Sequence, residues 1–388
     1  MKIAMRTTAP VAGLVAVLAA GLAAAPEAAA TPGGAGFGQA SSAQATLLYG
    51  VSCTSPAACT AVGEAIYPKR EVPVAERWNG RTWVIQHVPA LPGEGGELDG
   101  VSCTGPRDCI AVGIRYDGLL GAGTLAEHWD GRTWTIQHTP SPGDPTLARL
   151  RGVSCTSPGA CTAVGSRDRG TLAMRWNGRT WATQGTRNPG AGPTSLELFG
   201  VSCTATSACV AVGSTGSQPL ALRWDGANWA RQHVAPTHGG VGTQGELVSV
   251  SCAGLGGCIA VGDNGGNQKV ALVADRWDGT SWTRMATPHR ASGSQSFLQG
   301  VSCAGPGLCV AAGWENNGSA RDTTLAERWD GTAWDIQRTV NPPGGRGQLA
   351  AISCPSPGAC IAVGNGGNST LAERWNGRRW TVMTTPNA

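Results

Sequence analysis

Seven pairs of cysteines with the spacing C-x5-C are the residues whose type and placement could most directly do chemistry. They are Cys53 with Cys59, Cys103 with Cys109, Cys155 with Cys161, Cys203 with Cys209, Cys252 with Cys258, Cys303 with Cys309, and Cys354 with Cys360. Paired thiols either close a disulfide or contribute to a metal site. A structural zinc site needs three or four ligands at one point, and pairs set 48 to 52 residues apart do not supply them. The spacing therefore predicts seven local disulfides and no metal. Each would close a seven-residue loop, for which the chain-entropy relation gives about 2 kcal/mol.

Disulfides require an oxidising compartment, and the N-terminus directs the chain to one. Lys2 and Arg6 precede an apolar run from Val11 to Ala25, and Ala28-Ala29-Ala30 offers small residues before Thr31. That is the pattern of a secretory signal peptide. The expected organisation is a signal peptide over 1–30, a short linker over 31–45 and a single domain over 46–388. The apolar run is too short for a membrane span and no later stretch reaches eighteen apolar residues, so the mature chain is expected to be secreted, without a span and monomeric. Removing Lys2, Arg6 and Glu27 from 29 basic and 25 acidic residues leaves 27 and 24, a net charge of +3. That bias is too small to imply nucleic acid.

Other candidate groups recur rather than stand alone. A carboxylate precedes the Arg-Trp or His-Trp step at Glu76, Glu127, Asp275, Glu327 and Glu373, while Met174 and Leu222 occupy the equivalent positions in two further units. A catalytic acid is not ordinarily copied five times, so these groups are expected to pair with Arg side chains or backbone amides between units. His87, His138 and His233 repeat at one position after a Gln and read as structural, whereas His238 and His289 fall in connecting segments. No nucleophile elbow, H-E-x-x-H, P-loop or dinucleotide fingerprint is present. No cofactor is expected.

The elements that carry these residues follow from the repeat. The segment G-V-S-C-x5-C-x-A-V-G runs from Gly50 to Gly63, Gly100 to Gly113, Gly152 to Gly165 and Gly200 to Gly213, with variants ending at Gly262, Gly313 and Gly364. Each unit closes with R-W-[ND]-G-x-x-W or a close variant, which places fourteen of the fifteen tryptophans. The units read as four short strands. V-S-C and C-x-A-V-G form a first hairpin, L-A-E-R-W a third strand, and the second Trp opens a fourth after an Asn-Gly or Asp-Gly turn. Four antiparallel strands repeated seven times predict an all-β seven-bladed β-propeller of four-stranded antiparallel blades. Small residues at Gly50, Gly100, Ser249 and Ala351 would stand where innermost strands crowd an axis.

On these motifs the unit resembles kelch or galactose-oxidase-type propeller blades. It is more closely similar to secreted bacterial repeat proteins reading V-S-C-x5-C-x-A-V-G and A-E-R-W-[ND]-G-x-x-W. The resemblance spans Leu47 to about Pro386 and implies a fold, not an activity. A copper-radical oxidase would use Tyr and His ligands and a Cys linked to Tyr, yet the only tyrosines are Tyr49, Tyr67 and Tyr116 and every cysteine has a partner. Sialidase boxes are not matched.

In a four-stranded blade, the connections after strands two and four share one end, and there the units differ most. Tyr67, Lys69 and Arg70, Tyr116 and Asp117, Arg167 and Asp168, and Trp314 with Glu315 fall on that end and are the expected ligand-binding residues. Trp314 is the Trp outside the repeat, read equally as a loop anchor or a ligand platform. The expected function is non-catalytic binding of an extracellular carbohydrate, cell-surface polymer or protein. The alternative is a polysaccharide lyase or glycosidase using carboxylates on the same face.

Overall fold

The structure is a computed structural model, and it describes residues 42–91, 95–116, 121–140, 148–168, 170–186, 196–216, 218–237, 245–254, 257–265, 270–288, 295–316 and 321–388. The signal-peptide segment, Asp117, His238 and His289 lie outside the described residues. The fold is all-β: four-stranded antiparallel units follow one another along the chain, seven in the described residues. Five form separate four-stranded sheets, and the first two join into an eight-stranded sheet through one parallel bridge, Glu71 to Gly95.

The third unit shows why the repeat folds as it does. Its strands are Arg149–Ser157, Ala160–Arg167, Gly170–Trp176 and Trp181–Gln184. Cys155 faces Cys161, Cys161 faces Trp176, and Trp176 faces Trp181, so a disulfide and a tryptophan pair form one row across the sheet. The indoles lie 5.6 Å apart and tilted by 39°, within the range where aromatic pairs add about 0.5–1.5 kcal/mol beyond burial. At the turn, Gly178 has φ of 90° and Asn177 Oδ1 accepts the backbone N–H groups of Arg179 and Thr180 at 2.9 Å each. Asn or Asp followed by Gly is required because one residue caps the turn and the other takes the left-handed backbone. The Gly of A-V-G has a different cause. A Cβ on Gly165 would stand 2.0 Å from the carbonyl oxygen of Arg149, where the first strand bulges against the second.

The core lies between units rather than within them, as expected when each sheet must bury both faces. Ile110, Val112 and Ala126 of the second unit pack with Leu150, Cys161 and Trp176 of the third. First strands of successive units run side by side, and a Cβ on Gly152 would reach 2.8 Å from the Phe199 carbonyl. The Ser of V-S-C ties these strands together. Ser52 Oγ accepts the backbone N–H of Cys103 at 3.0 Å, Ser102 that of Cys155, Ser154 that of Cys203, Ser202 that of Cys252, Ser251 that of Cys303 and Ser302 that of Cys354. Ser353 of the last unit accepts the N–H of Cys53 in the first at 3.0 Å. Leu48, Trp78 and Trp83 correspondingly share a cluster with Ile361, Val363 and Ala372.

Each terminal unit is complete in itself. Ala45–Ser55 pairs with the second strand of the first unit, and Trp380–Met383 with the third strand of the last. A further clasp joins the fourth strands: Trp134, Trp181 and Trp229 donate their indole N–H groups to Gln86, Gln137 and Gln184 of the preceding unit at 2.8 to 3.1 Å.

The repeated carboxylates correct the sequence-based expectation. Asp275 pairs with an arginine of its own unit, Arg284, whose Nε lies 2.5 Å from Oδ1. Glu76 and Glu127 are fully buried with no hydrogen-bond partner on either oxygen. Burial pushes both up to about 8, so their carboxyls are neutral in the fold over the acid range. Glu373 is pushed up by burial to about 7, with the Thr324 hydroxyl and Val340 amide acting in the opposite direction.

Candidate functional site

The second half of every first strand repeats the same residues; the half that leads into it does not. Flanking one buried leucine in each strand stand Glu97 and Asp99, Arg149 and Arg151, Glu197 and Phe199, and Glu246 and Val248 in the second to fifth units. Because first strands lie side by side, these side chains meet their counterparts in neighbouring units. Arg149 Nη2 is 3.0 Å from both Glu97 Oε1 and Asp99 Oδ2. Arg151 reaches Asp99 at 3.5 Å and Glu197 Oε1 at 2.8 Å. The result is one ion network spanning three units. Burial works against the charge on Arg149, but Asp99, Glu97 and Glu197 outweigh it and raise its pKa, keeping the guanidinium charged.

The network continues into a carboxylate pair. Glu246 stands directly across from Asp263 in the sheet register. Burial and then the neighbouring Asp263 push Glu246 up to about 8. Asp263 rises to about 6 through burial, and the Gly265 N–H, 2.8 Å from its Oδ1, limits the rise.

The remaining units present different chemistry at the same level. Phe297 on the first strand of the sixth unit stacks on Trp314 of the second strand, with centroids 4.1 Å apart and planes 23° apart. Tyr49 donates its hydroxyl to Glu64 in the first unit. Carboxylate oxygens of Glu64, Glu71 and Glu97 lie within 4.8 Å of one another. Such an oxygen set suits a hard cation, but the Arg149 guanidinium already bonds Glu97 and makes the group part of the ion network.

Several sequence-predicted residues sit at or near the turns between second and third strands. Lys69 and Asp168 are exposed, and Asp168 has a φ of 43°. The Arg70 guanidinium lies 5.4 Å over the ring of Tyr67, a pairing within one turn. Tyr116 and Arg167 end their second strands half-buried. Trp314 belongs to a strand, Leu308–Asn316, and its stacking on Phe297 gives it an anchoring contact. Glu315 beside it is buried.

Sequence reasoning that sought variable loops passed over Glu97, Asp99, Arg149, Arg151, Glu197, Glu246 and Asp263. Their signal was available: charged residues of both signs at matched positions beside an otherwise constant strand.

The architecture and its site define a repeat protein of propeller-like all-β sheets with a charged end. No family model matches the sequence, and no curated protein is significantly similar to it. Solved structures share its fold at low identity. YCF48 bound to a D1 peptide is 14% identical, with 86% of this chain and 92% of that chain covered and a TM-score of 0.53. A PL25 ulvan lyase, a polysaccharide lyase, is 9% identical over 88% and 96% of the two chains, with a TM-score of 0.56. Sqt1 of Chaetomium thermophilum, bound to the N-terminus of ribosomal protein L10, is 9% identical over 86% of each, with a TM-score of 0.51. These neighbours are β-propeller proteins, and at such identities the likeness establishes fold alone. The seven disulfides suit an oxidising extracellular setting, and among the described residues no helix is long and apolar enough to cross a membrane.

Proposed function

We propose that the chain is a secreted, non-catalytic binding protein built as a closed seven-bladed β-propeller. Its ligand engages the charged end of the first strands. The observation that carries this reading is the Glu97, Asp99, Arg149, Arg151 and Glu197 network: five charged side chains held against one another across three units, where packing asks only for a leucine between them. The hydrogen bond from Cys53 to Ser353 supports the closed ring.

The ligand in this reading carries positive charge. The ionised Glu97, Asp99, Glu197 and Asp263 outnumber Arg149 and Arg151 in this cluster, a balance that attracts a cation and repels an acidic polymer. An extracellular protein segment with exposed Lys or Arg fits, and the Phe297–Trp314 stack offers an apolar wall to its side chains. Tyr67, Lys69, Arg70, Tyr116, Arg167 and Asp168, at or near the turns between second and third strands, serve in this reading as its outer rim. Two structural neighbours were solved with peptide segments, which agrees with this reading. Calorimetric titration of oligolysine into the secreted chain tests it. Binding that weakens with salt and is lost in Asp99→Asn and Glu197→Gln is expected; equal affinity in these variants rejects the site.

A second reading rests on one observation, the facing carboxylates Glu246 and Asp263 with unequal upward shifts, which is how an acid and base pair is set apart. It makes the chain a polysaccharide lyase or glycosidase. Release of unsaturated or reducing ends from a panel of polysaccharides, abolished by Asp263→Asn, would select it over binding alone.

A further inference from the structure

The end of the sheets that carries the disulfides is uneven in charge around the units. There the cysteine turn and the third-to-fourth strand turn of one unit touch. A Cβ on Gly80 would stand 3.0 Å from the Ala57 Cβ, and one on Gly377 would stand 3.5 Å from the Gly358 Cα. At this end the seventh unit carries Arg374, Arg378 and Arg379, and the first carries Arg77 and Arg81. Among the described residues none of the five is held in an ion pair. The acids of the same third strands, Glu76 and Glu373, are fully buried. The two units adjoin, since Leu48 and Trp83 share a cluster with Ile361 and Ala372.

The turns account for this bias. They read Asn-Gly-Arg at Asn79 and Asn376, where the fourth to sixth units place Asp225, Asp278 and Asp330 and no arginine. Asn79 Oδ1 accepts the N–H groups of Arg81 and Thr82, and Asn376 Oδ1 those of Arg378 and Arg379, so these turns are capped without an anion. The same part of the molecule exposes apolar side chains. Val84, Ile85, Ile136 and Val382 are 36% to 53% exposed. All four stand on fourth strands of the first, second and seventh units, one or two residues beyond the Trp that follows the turn. The matching positions of the third and fifth units hold Ala182 and Thr183, and Thr283 and Arg284. Val84 lies directly across from Arg77 in the register, which sets apolar and cationic groups side by side.

We infer that this corner of the molecule, the disulfide end and outer strands of the seventh, first and second units, binds the surface of an anionic phospholipid membrane. Guanidinium groups suit phosphate because they can bond it through two N–H groups at once. The apolar side chains favour a bilayer over a soluble polyanion. A hydrated polymer offers nothing to Val84 and Ile85, whereas the boundary between headgroups and acyl chains takes them out of water. Charge and apolar contact together give a reversible attachment that neither would give alone. The ion network at the other end of the first strands takes no part, so this inference is independent of the proposed ligand site.

Co-sedimentation of the purified chain with sucrose-loaded vesicles tests it, with phosphatidylcholine alone and phosphatidylcholine mixed with phosphatidylglycerol as probes. Binding to the mixed vesicles, weakened by salt and absent from the neutral ones, is expected. Arg378→Ala with Arg379→Ala should weaken it by about 25-fold, or about fivefold for each arginine near the surface. Val84→Ser with Ile85→Ser should weaken it by about tenfold or more. These positions are exposed, so the melting curve should not move. Arg223→Ala with Arg276→Ala, on the fourth and fifth units, should leave binding largely unaltered, as should Asp99→Asn. The inference is overturned if the mixed vesicles do not bind, if neutral vesicles bind as well, or if the Arg378 and Arg379 variant binds as the parent chain does. It is equally overturned if Val84→Ser with Ile85→Ser leaves binding intact, which would mark a site for soluble polyanions instead.

Discussion

Glu76 and Glu127 are neutral acids wedged between sheets, and their titration sets a direction for stability. Their folded pKa of about 8 lies above the ordinary 4.5, so the folded chain holds protons that the unfolded chain releases. Stability from this source is fully present below about 4.5, falls as pH rises, and is lost once the folded groups ionise above about 8. Thermal melts across that window should show a falling midpoint, and Glu127→Gln should flatten the profile on the alkaline side. A profile that rises toward pH 8 in the parent chain would contradict the burial argument. Ser154 offers a second measurement, because Ser154→Ala leaves the Cys203 N–H without its acceptor. The expected cost is about 1–3 kcal/mol in chemical denaturation. Both residues recur along the chain and were visible as repeats, but their partners were not. Spacing shows that Ser precedes every first cysteine; only the side-by-side packing of first strands shows that it bonds the next unit. The charged residues from Glu97 to Asp263 were harder to read, because their meaning lies in what the neighbouring unit places beside them.

Within one four-stranded unit, local chemistry dominates, and this is where the sequence was most legible. The Asn-Gly and Asp-Gly turns, the C-x5-C hairpin and the closing Trp pair each depend on residues close in the chain, so their spacing implied their geometry. The Gln of the fourth strand is not legible as an acceptor in the sequence, since that role needs a Trp about 45 residues later. Removing the disulfide of the third unit with Cys155→Ser and Cys161→Ser should cost about 2 kcal/mol, the loop-closure value for so short a loop. The remaining six units should keep their bonds, as mass spectrometry of the non-reduced digest would show. Gln137→Met should cost less, about 1 kcal/mol, because it removes one partner of a single indole hydrogen bond.

At the scale of the whole molecule, stability resides in the seams. Each hydrophobic cluster draws residues from neighbouring units, including the cluster that joins Leu48 and Trp83 to Ile361 and Ala372. A chain truncated before Gln348 loses the partners of that seam and exposes apolar surface at both ends. It should lose cooperative melting and bind hydrophobic dyes, whereas truncation of an open array of units would leave a shorter but still cooperative fold. The disulfides bear on the same seams by what they do not join. Every bond links cysteines six positions apart in one hairpin, so no covalent bridge crosses from one unit to another. A protease that nicks one connecting segment therefore leaves two polypeptides held by contact alone. Such a nicked molecule should migrate intact on a native gel and separate into two pieces in detergent even without a reducing agent, so that a single cut turns a permanent assembly into a dissociable one.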